Sequence, residues 1–201
     1  IGSQSYLLDP VAVTALQEQY GELHRLGHLR QPLDAIAPLV RQADVAALNL
    51  GAIRAADAPA QAYPNPNGWT AEEACQIMRY LGMSDPLQSL CLYGLPPTLA
   101  QNQQTAILVA QLVWFAIAGY QARLHELPLE AAALTAYVVD TKNLDTALAF
   151  YKSNKSDRWW FKMPAQLTPK STWVACSYRD YQLACEGELT DRLLLALRRL
   201  T

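Results

Sequence analysis

The succession of strand, loop, capped helix, strand and helix over residues 44–125 constrains this chain more than any other feature. Asp44-Val45-Ala46-Ala47-Leu48-Asn49-Leu50 is a continuous apolar run bounded by turn residues, which predicts a strand buried on both faces of a parallel sheet. Residues 55–67 are rich in Ala, Pro and Asn without periodicity and read as a long loop leaving the carboxyl end of that strand, where open α/β sheets place ligands. Thr70 with Glu73 forms a capping box for a helix over Ala71 to Leu81, with Gly82 expected in the left-handed position just past its end. Leu87 to Leu95 reads as the next strand, so the crossover is right-handed and the strand pair parallel. Gln103 to His125 is the longest predicted helix, its apolar face drawn from Ile107, Leu108, Leu112, Phe115 and Ile117 or Tyr120.

Before this block, Ile1 to Leu8 reads as a strand entered in mid-domain. Asp9-Pro10 opens a helix that carries Val11, Ala15, Leu16, Tyr20 and Leu23 at helical spacing until Gly27, and a short helix is expected over Leu33 to Gln42. After it the pattern changes. Strands are expected over 134–139, 147–151, 159–163 and 172–176, then amphipathic helices near 177–185 and 190–200. The division drawn from this is a core over 1–126 and a C-terminal extension over 127–201.

At 201 residues, half of them hydrophobic, the chain is large enough to bury a core. A net charge of -2 without a basic stripe argues against nucleic acid as a partner. The longest apolar run, Ala106 to Ala118, is interrupted by Gln111 and falls short of the roughly 18 residues that a membrane span needs. With no signal-peptide pattern, the expected location is cytoplasmic. Cys75, Cys91, Cys176 and Cys185 form no C-x-x-C pair and are expected to pack as reduced, small apolar side chains.

Three segments point to a family. Asn49-Leu50-Gly51-Ala52-Ile53-Arg54-Ala55-Ala56-Asp57-Ala58-Pro59 is laid out like D-x-D-x-x-D-P-x-x-A-P. Gly68-Trp69-Thr70-Ala71-Glu72-Glu73-Ala74 follows the pattern G-G-[LF]-[ST]-x-x-E-[AG]. Leu90 to Pro97 and then Thr105-Ala106-Ile107-Leu108-Val109-Ala110 stand where D-[IL]-V-E-[VFY]-N-P and T-A-x-L-x-A would be expected. In order and spacing the chain resembles the C-terminal half of a ureohydrolase of the arginase, agmatinase and formimidoylglutamase kind, over roughly residues 1 to 122. The extension around Lys152-Ser153-Asn154-Lys155-Ser156-Asp157-Arg158-Trp159-Trp160 and Cys176 to Tyr181 resembles that of one bacterial group of formimidoylglutamase-like proteins. The resemblance implies an α/β fold of three layers with a mainly parallel sheet, represented by its second half, plus a small mixed α+β appendage. The family's first-half motifs G-G-x-H and D-A-H-x-D do not occur here. Their strands are therefore expected from a removed segment or from a partner chain that completes the sheet, with a homo-oligomer as the other expected assembly.

The resemblance also implies a chemistry. Ureohydrolases attack an amidine carbon with a hydroxide held between two manganese ions, and such hard cations demand several anionic oxygens. The positions that supply two of these carboxylates are Asn49 and Gly51, and the glutamate that would pair with a substrate amidinium is Gly94. Losing that last group removes a charge-assisted contact worth roughly a few kcal/mol. Asp57 is the weak substitute ligand. The expectation is a degenerate, non-catalytic ureohydrolase-like protein without a metal, serving as a scaffold, in assembly or in ligand sensing. The opposing expectation is a manganese-dependent hydrolase of linear amidines whose site is completed by an absent N-terminal half.

The histidines do not restore a metal site: His24 and His28 are four apart but separated by Gly27, and His125 sits at a helix end. Beyond the vestigial positions, the candidates for binding are Asn67 in the strand-end loop and Arg158, Trp159 and Trp160. Arg and Trp dominate interface hot spots, although adjacent tryptophans on a strand also simply alternate between its faces.

Overall fold

The computed structural model describes residues 1–97, 101–126, 131–140, 147–164 and 172–198. The chain divides into two compact units. One comprises residues 1–8 and 23–125, and the other 9–22 and 126–201.

In the first unit, α2 (Leu26–Leu29) and α3 (Ile36–Val40) precede β1 (Val45–Asn49), α4 (Ala71–Gly82), β2 (Ser89–Tyr93) and α5 (Gln103–Gln121). Strands β1 and β2 run parallel, with Val45 opposite Ser89 and Asn49 opposite Tyr93. The capping box of α4 forms as the sequence predicts: Glu73 N–H donates to Thr70 Oγ1 at 3.1 Å, and Thr70 N–H donates to Glu73 Oε2 at 2.8 Å. Leu48, Leu50, Ile53, Trp69, Met78 and Leu112 lie in one buried cluster in which α3, α4 and α5 pack on one face of the strand pair.

The other face of that pair is bare. Val45, Ala47 and Asn49 on β1 and Ser89, Cys91 and Tyr93 on β2 are all exposed, so the expected burial on both faces is corrected. The physical reason is strand count, since among the described residues only two strands pair here and none of this unit covers their second side. Cys91 is accordingly exposed rather than packed, and so is Cys185, while Cys75 and Cys176 are buried.

The opening residues correct a second expectation. Ser5–Leu7 form a short 3-10 turn, and the extended pairing is limited to a single parallel bridge between Ser3 and Arg25. Gly82 likewise is no left-handed cap. It lies inside α4, where a Cβ would come 2.2 Å from the Ala116 carbonyl oxygen, and Gly119 of α5 faces the Arg79 carbonyl oxygen at the same 2.2 Å. These glycines let two helix backbones touch.

The second unit contains α1 (Pro10–Glu18), in which the Asp9 carboxylate accepts from Val11 N–H at 3.0 Å. The predicted continuation to Gly27 fails because Tyr20 turns left-handed at φ 56° and Gly21 N–H closes on the Leu16 carbonyl at 2.7 Å. The rest is an antiparallel sheet, β3 (Leu134–Val139), β4 (Leu148–Ser153), β5 (Trp159–Lys162) and β6 (Trp173–Cys176), in sequential order, followed by α6 (Tyr178–Cys185) and α7 (Asp191–Arg198). The chain is therefore α/β: the strand pair of the first unit is parallel, and the four strands that follow residue 133, expected as a mixed α+β appendage, form an antiparallel sheet. Phe150, Trp159, Phe161, Cys176 and Leu193 share the buried cluster of this unit. Among the described residues no helix is long and apolar enough to cross a membrane.

Candidate functional site at the strand ends

Strands β1 and β2 are parallel and in register, so Asn49 and Tyr93 end side by side and the residues that follow them converge. Asn49, Gly51 and Gly94, which lie far apart in sequence, line a single cleft of about 780 Å³. Leu7, Gln61, Tyr63, Pro64, Asn65 and Pro66 complete the described wall, so the loop that the sequence predicts at this strand end does border the cleft.

The geometry at the floor is specific. Asn49 Oδ1 accepts the Gly51 backbone N–H at 2.9 Å, which turns the chain out of β1. Gly94 has φ +77°, and a Cβ built on it would lie 2.5 Å from that same Asn49 oxygen. A side chain at position 94 would have to push Asn49 off its bond to Gly51. Positions 49 and 94 are thus sterically linked. The Gln61 amide donates to the Ile53 carbonyl at 2.7 Å, while its own oxygen is buried without a hydrogen-bond partner.

Asp57 is engaged elsewhere. Its Oδ2 accepts from Arg54 Nε at 2.9 Å and from Ala71 N–H, the first residue of α4, at 2.7 Å. The Arg54 hydrogen bond above all, helped by the Ala71 amide and opposed by partial burial, holds this carboxyl below the usual aspartate range. Asp57 is not among the residues lining the cleft. Arg54 is held by the same carboxylate, which raises its own affinity for the proton. The lining of the cleft contains no described Asp, Glu or His, and among the described residues no group of three His, Cys, Asp or Glu could hold a metal ion. The donor set is neutral amides and backbone, which does not fit two manganese dications.

The other candidates separate from this site. Asn67 is exposed, with its backbone N–H donating to Asn65 Oδ1 at 2.9 Å and its side chain donating to Tyr6 Oη at 3.4 Å. Arg158, in the second unit, lies 3.5 Å from the Glu126 carboxylate; their side chains are 13% and 4% exposed. Ser153 and Ser156 also donate to Glu126, closing the β4–β5 turn around a buried acid. Trp159 stacks on Tyr181 with ring centroids 5.0 Å apart, and Trp160 on the opposite face of β5 is 1% exposed. Neither tryptophan presents its ring to solvent. His28 and His125 are exposed, and the His24 carbonyl is used by Ser3. Sequence reasoning missed Gln61, Tyr63 and Asn65 as cleft residues. The only signal for them was their place in a Pro- and Asn-rich loop after a strand.

The chain has a ureohydrolase-like fold over about 61% of its length. Among solved structures it is similar to formiminoglutamase from Trypanosoma cruzi, determined with Mn2+, at a TM-score of 0.56 and 15% identity, covering 61% of this chain and 44% of that one. It is also similar to formimidoylglutamase from Bacillus subtilis (TM-score 0.55, 15% identity, 62% and 42% covered) and to arginase from Bacillus subtilis (0.50, 18%, 58% and 45%). The chain spans less than half the length of each of these structures. No family model matches the sequence, and no curated protein matches it either.

Proposed function

We propose that this chain is a ureohydrolase-fold protein that does not hydrolyse amidines, and that its retained scaffold serves assembly or ligand sensing in the cytoplasm. One observation carries the reading: Asn49, Gly51 and Gly94 converge on one cleft whose described lining offers no anionic oxygen from a side chain. Two dications placed there would face neutral amide oxygens, and a cationic amidine would be desolvated without a counter-charge. Asp57, the nearest substitute, is committed to Arg54 and to the start of α4.

The opposing reading is a manganese-dependent hydrolase of linear amidines whose ligands come from elsewhere. It draws support from the Mn2+ of the trypanosomal formiminoglutamase and from the more than half of that protein that this chain does not span. Calorimetric titration with Mn2+, combined with assays for formamide and urea release from formimino and guanidino substrates, separates the two. The expected outcome is no saturable Mn2+ binding and no turnover. Near-stoichiometric manganese with hydrolysis of either substrate class would overturn the proposal.

A further inference from the structure

Three amide side chains line the strand-end cleft, and each has spent one of its two ends on the backbone. Asn49 Oδ1 accepts the Gly51 N–H at 2.9 Å, and Asn65 Oδ1 accepts the Asn67 N–H at 2.9 Å. Those bonds fix which end of each amide is the oxygen, and they leave both Nδ2 groups without a partner among the described residues. Gln61 is turned the other way. Its Nε2 donates to the Ile53 carbonyl at 2.7 Å, and its Oε1 is buried with no partner, which is uncommon for a buried acceptor in a native fold.

The described lining carries no charged side chain, so the cleft offers spare amide donors and one spare acceptor in a volume of about 780 Å³, the size of a small-molecule site. Tyr63, 89% exposed, adds a free aromatic face beside Pro64 and Pro66. Three head groups of one shape can be weighed against this lining. An amidinium only donates, so the Asn49 and Asn65 donors stay unanswered and its charge is desolvated without a counter-charge. A carboxylate only accepts, so Gln61 stays unpaired and the charge is again uncompensated. A carboxamide brings a carbonyl oxygen for the donors, an N–H for the acceptor and no charge.

We infer that the strand-end cleft binds a small neutral molecule with a carboxamide head on a planar apolar body. The Asn49 and Asn65 amides donate to its carbonyl, Gln61 Oε1 accepts its N–H, and Tyr63 covers the body. This rests on the reading of the cleft as a ligand site without hydrolysis, and it supplies that reading with a ligand class.

Benzamide, benzamidine and benzoate share one shape and differ in charge, so titrating the purified protein with each tests the inference. The readout is the 15N side-chain amide resonances of Asn49, Gln61 and Asn65. Benzamide should shift all three saturably, and the two charged probes should bind at least about tenfold more weakly. Asn49→Asp keeps the oxygen that accepts from Gly51 but replaces the donor with negative charge, so the order should invert, benzamidine gaining and benzamide losing about tenfold each. Tyr63→Ala, at an exposed loop position, should weaken benzamide without altering the fold. The inference would be overturned by no saturable benzamide shift, by benzamidine or benzoate binding the parent as tightly, or by an unchanged order in Asn49→Asp. If benzamide fails in a protein that also neither holds Mn2+ nor releases formamide or urea, the ligand class is wrong and the non-hydrolytic reading stands. Stoichiometric Mn2+ with turnover would remove both.

Discussion

Asp57 shows how one carboxylate can look like a metal ligand in a sequence and serve the backbone in the fold. It joins Arg54, three residues earlier, to the first amide of α4, so it fastens the loop after β1 to the start of a helix. Its folded-state pKa is depressed, so its stabilising contribution is fully present above the unfolded value of about 3.9 and is lost as pH falls through the lower folded value. Asp57→Asn should therefore destabilise the protein by about 1 kcal/mol at pH 6, on the scale of a helix-terminus acceptor. As pH falls below about 3.9 the difference from the parent should shrink. Urea midpoints at pH 6 and pH 3 check both halves. The sequence placed Asn49, Gly51 and Gly94 at or just after strand ends, and in the fold they line one cleft. What could not be read was that Gly94 has φ +77° and abuts the Asn49 oxygen, since that contact depends on the register of two strands 44 residues apart.

Helices α4 and α5 pair through glycines. The start of α5 also clamps the cleft loop: Thr105 Oγ1 accepts from Ala60 N–H at 3.1 Å, and Gln104 donates to the Ala56 and Asp57 carbonyls at 2.8 and 3.2 Å. Gly82→Ala gains helix propensity of about 1 kcal/mol, yet its Cβ would strike the Ala116 oxygen at 2.2 Å and the Tyr120 nitrogen at 2.9 Å. Backbone cannot swivel aside as a side chain can, so overpacking wins and a net loss of about 2 kcal/mol is expected by urea denaturation. Gly27→Ala is the contrast. Nothing lies within 4 Å of a Cβ there, so stability should hold or rise slightly. The capping box at Thr70 and most of the strands and helices after residue 134 were legible because caps and periodicity are local signals, while the box at Ser177 emerged only in the fold. The orientation of α5 was not. Its apolar residues run all the way round, and only Thr105, Leu108, Leu112 and Gly119 are buried, while Ile107, Ile117 and Tyr120 face outward.

At the scale of the whole molecule, the two sheets differ in how completely their hydrogen bonds and faces are used. In the second unit β4 and β5 each pair on both sides, and Leu148, Phe150, Trp159, Trp160 and Phe161 are buried along them. In the first unit, among the described residues, β1 and β2 have one partner each and an open face. A sequence reader sees apolar runs of similar length in both places and expects similar burial. The difference comes from the number of neighbouring strands, which no local pattern encodes and which here limits the parallel sheet to one pair. Amide exchange tracks the free energy of local opening, and opening is easiest where few buried contacts and single-sided pairing hold a strand. The amides of β4 and β5 should therefore exchange slowest in the chain, and those of Ser89–Tyr93 at least about 100-fold faster, a gap of roughly 2.7 kcal/mol in opening free energy at about 1.4 kcal/mol per tenfold. Hydrogen exchange read by mass spectrometry at the peptide level is sufficient to see it. Equal protection of β2 and β5 in the purified chain would mean that the open edge and face of the first unit are already covered in solution.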